Sequence, residues 1–154
     1  MGTKVIIYTD GAALGNPGPG GYGVVLEVDG CKRELSAGYR LTTNNRMELL
    51  AVIAGLEALE RVGMSVTIYS DSRYVVDAVE KRWLFNWIQT DFRGKKNPDL
   101  WLRFFPLYSM HAVRLEWIPG HSRIAGNERC DRLASAAARS PRLLVDAYYE
   151  GSCY

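Results

Sequence analysis

The chain has 154 residues, 47% hydrophobic and 23% charged, an ordinary composition and length for one globular domain with a sizeable core. No run of about 18 apolar residues occurs, which excludes a membrane-spanning helix, and Met1-Gly2-Thr3-Lys4 leads into an apolar run without a signal-peptide core. A net charge of +2 announces no polyanionic partner by itself.

Val5-Ile6-Ile7-Tyr8 reads as a buried strand that stops at Asp10-Gly11. Gly11 to Gly21 is rich in glycine and proline and is expected as a loop. Tyr22 to Val28 reads as a second strand, Asp29-Gly30 as a hairpin turn, and Cys31 to Leu41 as a third strand. The polar alternation of that third strand suits a sheet edge, and the three strands are expected as an antiparallel meander. Met47 to Leu59 carries a helical pattern, with Val66 to Tyr69 as a fourth strand after it. A strand, a helix and a strand imply a right-handed crossover and a parallel pair. Short helices are expected over Ser72 to Glu80 and Trp83 to Trp87, then an exposed basic loop to Pro98 and a helix over Leu100 to Tyr108. Val113 to Ile118 alternates as a fifth strand, and Asn127 to Arg139 is a last helix stopped at Ser140-Pro141. The fold class is therefore α/β: a single mixed five-stranded sheet, three antiparallel strands plus two parallel ones, flanked by helices on both faces. Residues 1–140 make the expected domain, and residues 141–154 a tail whose docking is left open.

Cys31, Cys130 and Cys153 are odd in number and share no metal-binding spacing, which points to the reducing cytoplasm. Cys130 is expected to pack as a small buried apolar group. The positive charge is local: Lys81, Arg82, Arg93, Lys95 and Lys96 face only Asp91 within residues 81–97, so the rest of the chain is net negative.

Asp10 and Asp71 both end apolar strands. Each has an ordinary reading, Asp10 in an Asp-Gly turn and Asp71 as a helix cap. Glu48 completes an N-cap-x-x-Glu pattern with Asn45. On a helical wheel it shares a face with Ala51, Val52, Gly55 and Leu59, while Glu57 points the other way. A carboxylate on the small, apolar face needs a partner, either a cap or a cation. If the two strands are parallel neighbours, Asp10 and Asp71 stand side by side at the sheet edge where ligands of α/β folds gather. Carboxylates crowded there repel unless a divalent cation intervenes, and oxygen-only ligands suit Mg²⁺.

Tyr8-Thr9-Asp10-Gly11, the run Gly15-Asn16-Pro17-Gly18-Pro19-Gly20-Gly21-Tyr22-Gly23, Thr43-Asn44-Asn45-Arg46-Met47-Glu48-Leu49, Asp71-Ser72, Gly120-His121 and Asn127-Glu128-Arg129-Cys130-Asp131 together resemble bacterial type 1 ribonuclease H, in order and spacing, from about residue 4 to 140. The resemblance implies an endonuclease that cuts the RNA strand of RNA–DNA hybrids by two-metal-ion catalysis, leaving 5′-phosphate and 3′-hydroxyl ends. It implies Asp10, Glu48, Asp71 and Asp131 as ligands of Mg²⁺, with Mn²⁺ as the alternative ion, and His121 as a loop histidine assisting water activation or product release. By the same resemblance Asn16, Asn44 and Asn45 touch the RNA strand, where the 2′-hydroxyl separates RNA from DNA, and Thr43 belongs to a phosphate pocket for the DNA strand. Asn44 or Asn45 could equally be a plain helix cap. Arg73 stands where close relatives carry glutamine. Residues 81–101 resemble a basic protrusion built on Trp83, Trp87 and Trp101, with Trp83, Lys95 and Lys96 as its substrate contacts and the other two tryptophans as packing. This protrusion looks shorter and less basic than in the best-known bacterial members, which lowers the expected hybrid affinity and salt dependence. The expected partner is a hybrid duplex, with no membrane and no protein partner, for a monomer in the cytoplasm. Two rival readings of the sequence exist. Gly18-Pro19-Gly20-Gly21-Tyr22-Gly23 formally matches a dinucleotide fingerprint, but a strand rather than a helix follows it. A catalytically dead hybrid-binding module is the other, and it would not need every ligand position filled.

Overall fold

The computed structural model describes residues 3–120 and 123–151. Five strands and five helices follow in order: β1 Lys4–Ala13, β2 Gly18–Val28, β3 Cys31–Thr42, α1 Asn44–Glu57, β4 Ser65–Ser70, α2 Arg73–Glu80, α3 Trp83–Gln89, α4 Pro98–Ser109, β5 Ala112–Trp117 and α5 Ala125–Ala138. They form one sheet of order β3-β2-β1-β4-β5. β1, β2 and β3 are antiparallel neighbours, and β4 and β5 join parallel to β1. The β1–β4 ladder ends at Tyr8 opposite Tyr69, which leaves Asp10 and Asp71 the same distance beyond it.

The glycine-rich segment departs from its expectation as a loop. β1 and β2 stay paired from Asp10 opposite Gly23 to Ala13 opposite Gly20, and the connection shrinks to residues 14–17. The glycines serve close approach rather than a turn. At Gly21 and Gly23 an added Cβ would collide with the backbone of α5, at Ala134 and at Cys130. With no side chains in the way, α5 lies directly on this face of the sheet.

The opposite face carries α1. Val5, Ile7, Val24, Leu26, Val66 and Ile68 meet Met47, Ala51, Val52 and Leu56 in one core with α2, α3 and α4, including the fully buried Trp101 and Phe104. Each large side chain there contributes roughly 1.5–3 kcal/mol by burial. α1 has more than the single inward face expected of it, because α4 covers its other side. Leu49, Leu50 and Ile53 are buried too, and exposed Glu57 pairs with Arg103 of α4 at 2.7 Å. The cap of α1 is neither Asn44 nor Asn45 but Thr43, whose hydroxyl accepts from the Arg46 amide at 3.2 Å. Ser72, not Asp71, caps α2. Both aspartate-and-asparagine capping readings therefore fail, and those side chains are left for other work.

The tail docks. The Leu144 amide donates to Gly38 and its carbonyl accepts from Arg40, capping part of the β3 edge. Asp146 is buried against Arg46, whose side chain is 3% exposed and whose guanidinium also pairs with Asp99 of α4. Breaking such a buried pair costs about 3–5 kcal/mol. No helix among the described residues is long and apolar enough to cross a membrane.

Candidate active site

Asp10 lies within β1 and Asp71 just past β4, so the parallel pairing brings both to one sheet edge. Glu48 reaches them from α1 because β1 passes α1 at Gly11, where any side chain would strike the Met47–Glu48 backbone. Ligand atoms of Asp10, Glu48 and Asp71 all lie within 4.8 Å of one another. Asp131 comes from α5, which the β2 glycines admit to the sheet, and it lines the same cavity of about 540 Å³.

Asp10 and Glu48 are 6% and 5% exposed. Burial first, then the charge of Asp71, pushes the Asp10 carboxyl up to about 8, against the opposing Gly11 amide that donates to it at 2.9 Å. Burial, then the charges of Asp10 and Asp71, holds Glu48 well above the usual carboxylate range. Glu48 Oε1 and Asp71 Oδ1 are buried without a hydrogen-bond partner among the described residues. Unpaired oxygens at this depth cost stability unless something positive meets them. An all-oxygen set of this kind fits a hard divalent cation. With Thr43 as the N-cap of α1, Glu48 lies beyond the position that would complete a capping box, so that alternative fails.

A ribonuclease H family model matches residues 2–139. Ribonuclease H of Desulforamulus reducens is 53% identical over 93% of this chain and 92% of its own length. The chain belongs to the ribonuclease H family. The enzyme of Trichodesmium erythraeum is 49% identical over 96% of this chain and 97% of its own. Among solved structures, LC9-RNase H1, described as a type 1 enzyme with the type 2 active-site motif, superposes with a TM-score of 0.81 at 32% identity, over all of this chain and 82% of its own. LC11-RNase H1 bound to an RNA/DNA hybrid gives 0.65 at 31% identity, covering 88% and 96%. As a ribonuclease H the chain is an endonuclease for the RNA strand of RNA–DNA hybrids.

The remaining residues fall into two neighbouring groups. Asn16 Oδ1 accepts from the Asn44 amide at 3.0 Å, and Asn44 lines the carboxylate cavity of this ribonuclease H. Asn45, next along α1, lines a second groove of about 270 Å³ with Tyr74, Trp83, Lys95 and Lys96. The first turn of α1 thus addresses both. Trp101 is fully buried and Trp87 is packed against it, the packing role expected of both, while Trp83 is 43% exposed. Lys95 lies 5.3 Å over the Trp87 ring. Arg73 stands apart from that groove, its guanidinium 3.9 Å over the Trp117 ring. Thr43 is occupied as the α1 cap. His121 lies outside the described residues; its neighbour Gly120 borders Asp71.

Several cavity residues were not singled out from sequence. Asn127, 3% exposed with an unpartnered Oδ1, sits one turn before Asp131, and that i, i+4 spacing on a helix could have flagged it. Arg123 and Arg132 also line the cavity, and Trp117 donates its indole N–H to the Asp71 carbonyl at 3.1 Å. Cys130 behaves as expected: it is buried, its thiol donates to the Tyr8 carbonyl, and burial pushes it up to about 12.

Proposed function

We propose that this enzyme hydrolyses hybrid RNA with Mg²⁺, or alternatively Mn²⁺, held by Asp10, Glu48, Asp71 and Asp131. The observation that carries this is the buried carboxylate cluster with two oxygens left unpartnered. Bound there, a pair of such ions activates the attacking water and stabilises charge on the leaving 3′ oxygen. The chain's own residues do the rest. Glu48 and Asp10 are held by rigid elements, so the site is preorganised before substrate arrives. Asn16, Asn44 and Asn45 present amides to the minor groove and distinguish the 2′-hydroxyl of RNA. Trp83 offers a face to the DNA strand, Lys95, Lys96 and Arg73 neutralise phosphates, and Thr43 belongs to a phosphate pocket for the DNA strand. His121 carries a proton to or from the reacting water, a role suited to imidazole near neutral pH. Residues 1–140 form the catalytic unit, with the protrusion at about 81–101, and residues 141–154 are a tail that docks through Leu144 and Asp146. The enzyme acts as a monomer in the cytoplasm, a compartment that exposed, free Cys31 supports.

Replacing Asp10 tests the assignment. Asp10→Asn should lower kcat by at least about a thousandfold, the scale of losing a central electrostatic group, while hybrid affinity measured in Ca²⁺ or EDTA stays within about threefold. Near-normal Mg²⁺-dependent turnover in that variant would remove Asp10 from the site.

A further inference from the structure

A continuous line of polar contacts, buried at Asp146 and partly buried beyond Arg46, runs from the tail to the groove beside the active site. Thr42 donates its hydroxyl to Asp146 Oδ2 at 2.7 Å. Arg46 Nε donates to the same oxygen at 2.7 Å, and Nη2 to Oδ1 at 2.9 Å. The other side of the guanidinium grips Asp99 at 2.9 and 2.7 Å and donates from Nη1 to Asn97 Oδ1 at 3.1 Å. Asn97 Nδ2 then donates to the Tyr74 hydroxyl at 3.0 Å, which also receives the Trp101 indole N–H at 2.9 Å. Asn97 and Tyr74 are walls of the groove shared with Asn45, Trp83, Lys95 and Lys96.

Two features make this line more than tail attachment. Asn97 has a left-handed backbone, φ 62°, and its side chain makes no cap for α4; it is committed to bridging Arg46 and Tyr74. A non-glycine residue in that region persists where its surroundings over-determine it. Arg46, in turn, sits in the first turn of α1, directly after Asn45, and is 2% exposed. Its planar fork has its Asp146 and Asp99 contacts made in pairs, so it cannot rotate without releasing one carboxylate.

We propose that Asp146 is a positioning residue for substrate: through Arg46 and Asn97 it fixes Tyr74 and the base of the basic segment, and so sets the width of the groove that receives the hybrid. This rests on reading that groove as part of the hybrid-binding surface. The tail, outside the catalytic motifs, thereby contributes to substrate affinity, with no part in the cleavage step.

The test compares steady-state cleavage of a labelled hybrid by wild type, Asp146→Asn and a Lys95→Ala/Lys96→Ala variant, with folded fraction followed by circular dichroism. Asp146→Asn keeps size and removes the charge. It should raise KM about fivefold, the weight of one charge-assisted contact, with kcat within about twofold. Combined with Tyr74→Phe, its effect on KM should be clearly less than the product of the two, because both act on one line. If Asp146→Asn lowers the folded fraction, Thr42→Val, which loosens Asp146 from its other side, gives the same reading with Arg46 still paired. An unchanged KM in Asp146→Asn or Thr42→Val, with a raised KM in the lysine variant, overturns the relay alone. An unchanged KM in all three overturns the groove reading and the relay with it. Losses in kcat that follow the folded fraction at constant KM mark a purely structural contact and also overturn the proposal.

Discussion

At the scale of single residues, the chemistry turns on carboxylates placed where they are poorly tolerated alone. Asp10 sits near 3.9 in an unfolded chain and about 8 when folded without an ion. The folded state therefore binds more protons between those values, and its stability is full below about pH 4 and falls as pH rises toward 8. Thermal unfolding in EDTA should show a midpoint that declines across this window, as the unfolding free energy falls by up to about 1.4 kcal/mol per pH unit for one such group. Saturating Mg²⁺ should flatten the decline, and identical curves with and without the ion would contradict a cation site. Trp117 gives a second prediction, since its indole N–H restrains the Asp71 carbonyl. Trp117→Phe keeps an aromatic face under Arg73 and deletes the donor, and should raise the Mg²⁺ concentration for half-maximal thermal stabilisation about fivefold, the weight of one hydrogen bond. An unshifted titration would mean that Asp71 is held without it. Asp10, Glu48 and Asp71 were legible because strand ends and a helical wheel put them together by physical rule. Asp131 was legible only through its motif, since nothing in its local pattern separates it from a solvated helix charge.

At the scale of elements, the site depends on how closely backbones approach. α5 carries Asp131 and rests on Gly23, where an added Cβ meets the Cys130 carbonyl oxygen. Gly23→Ala should therefore push α5 outward, cost about 1–3 kcal/mol as an overpacked contact, and lower kcat together with stability. Denaturant unfolding and turnover on the same preparations check it, and unchanged values for both would show that α5 tolerates the shift. The glycines also explain the largest misreading from sequence. Gly and Pro are punctuators of local structure, and Gly18 to Gly21 offers no local sign that a helix more than 100 residues later lies against it. The wheel placed Glu48 inward correctly, but it could not reveal that α4 covers the far side of α1. Capping failed for a different reason: Thr43, Asn44 and Asn45 are all good N-caps, and only the geometry chooses Thr43.

At the scale of the molecule, the parallel sheet edge gathers two strand-end aspartates, and two helices packed on opposite faces each add one carboxylate. The strand–helix–strand rhythm made a parallel fourth strand readable, but its place beside the first strand was only a condition of the reading; the structure supplies that adjacency and the full strand order. The tail was not readable, because its anchors, the buried Arg46–Asp146 pair spanning 100 residues and the Leu144 backbone bonds to the β3 edge, follow no periodic pattern. Asp146 would be raised by burial, yet Arg46 and Thr42 together hold it below the usual range, which marks the docked tail as a native ion pair. The central claim, that these carboxylates bind divalent ions to cut one strand of a hybrid, is tested most directly by one assay. An RNA–DNA duplex labelled on both strands is incubated with Mg²⁺ or with EDTA, and the products are resolved by strand and end group. The account predicts cleavage of the RNA strand alone, with 5′-phosphate and 3′-hydroxyl ends, and none in EDTA; cleavage that persists in EDTA or includes the DNA strand would contradict it.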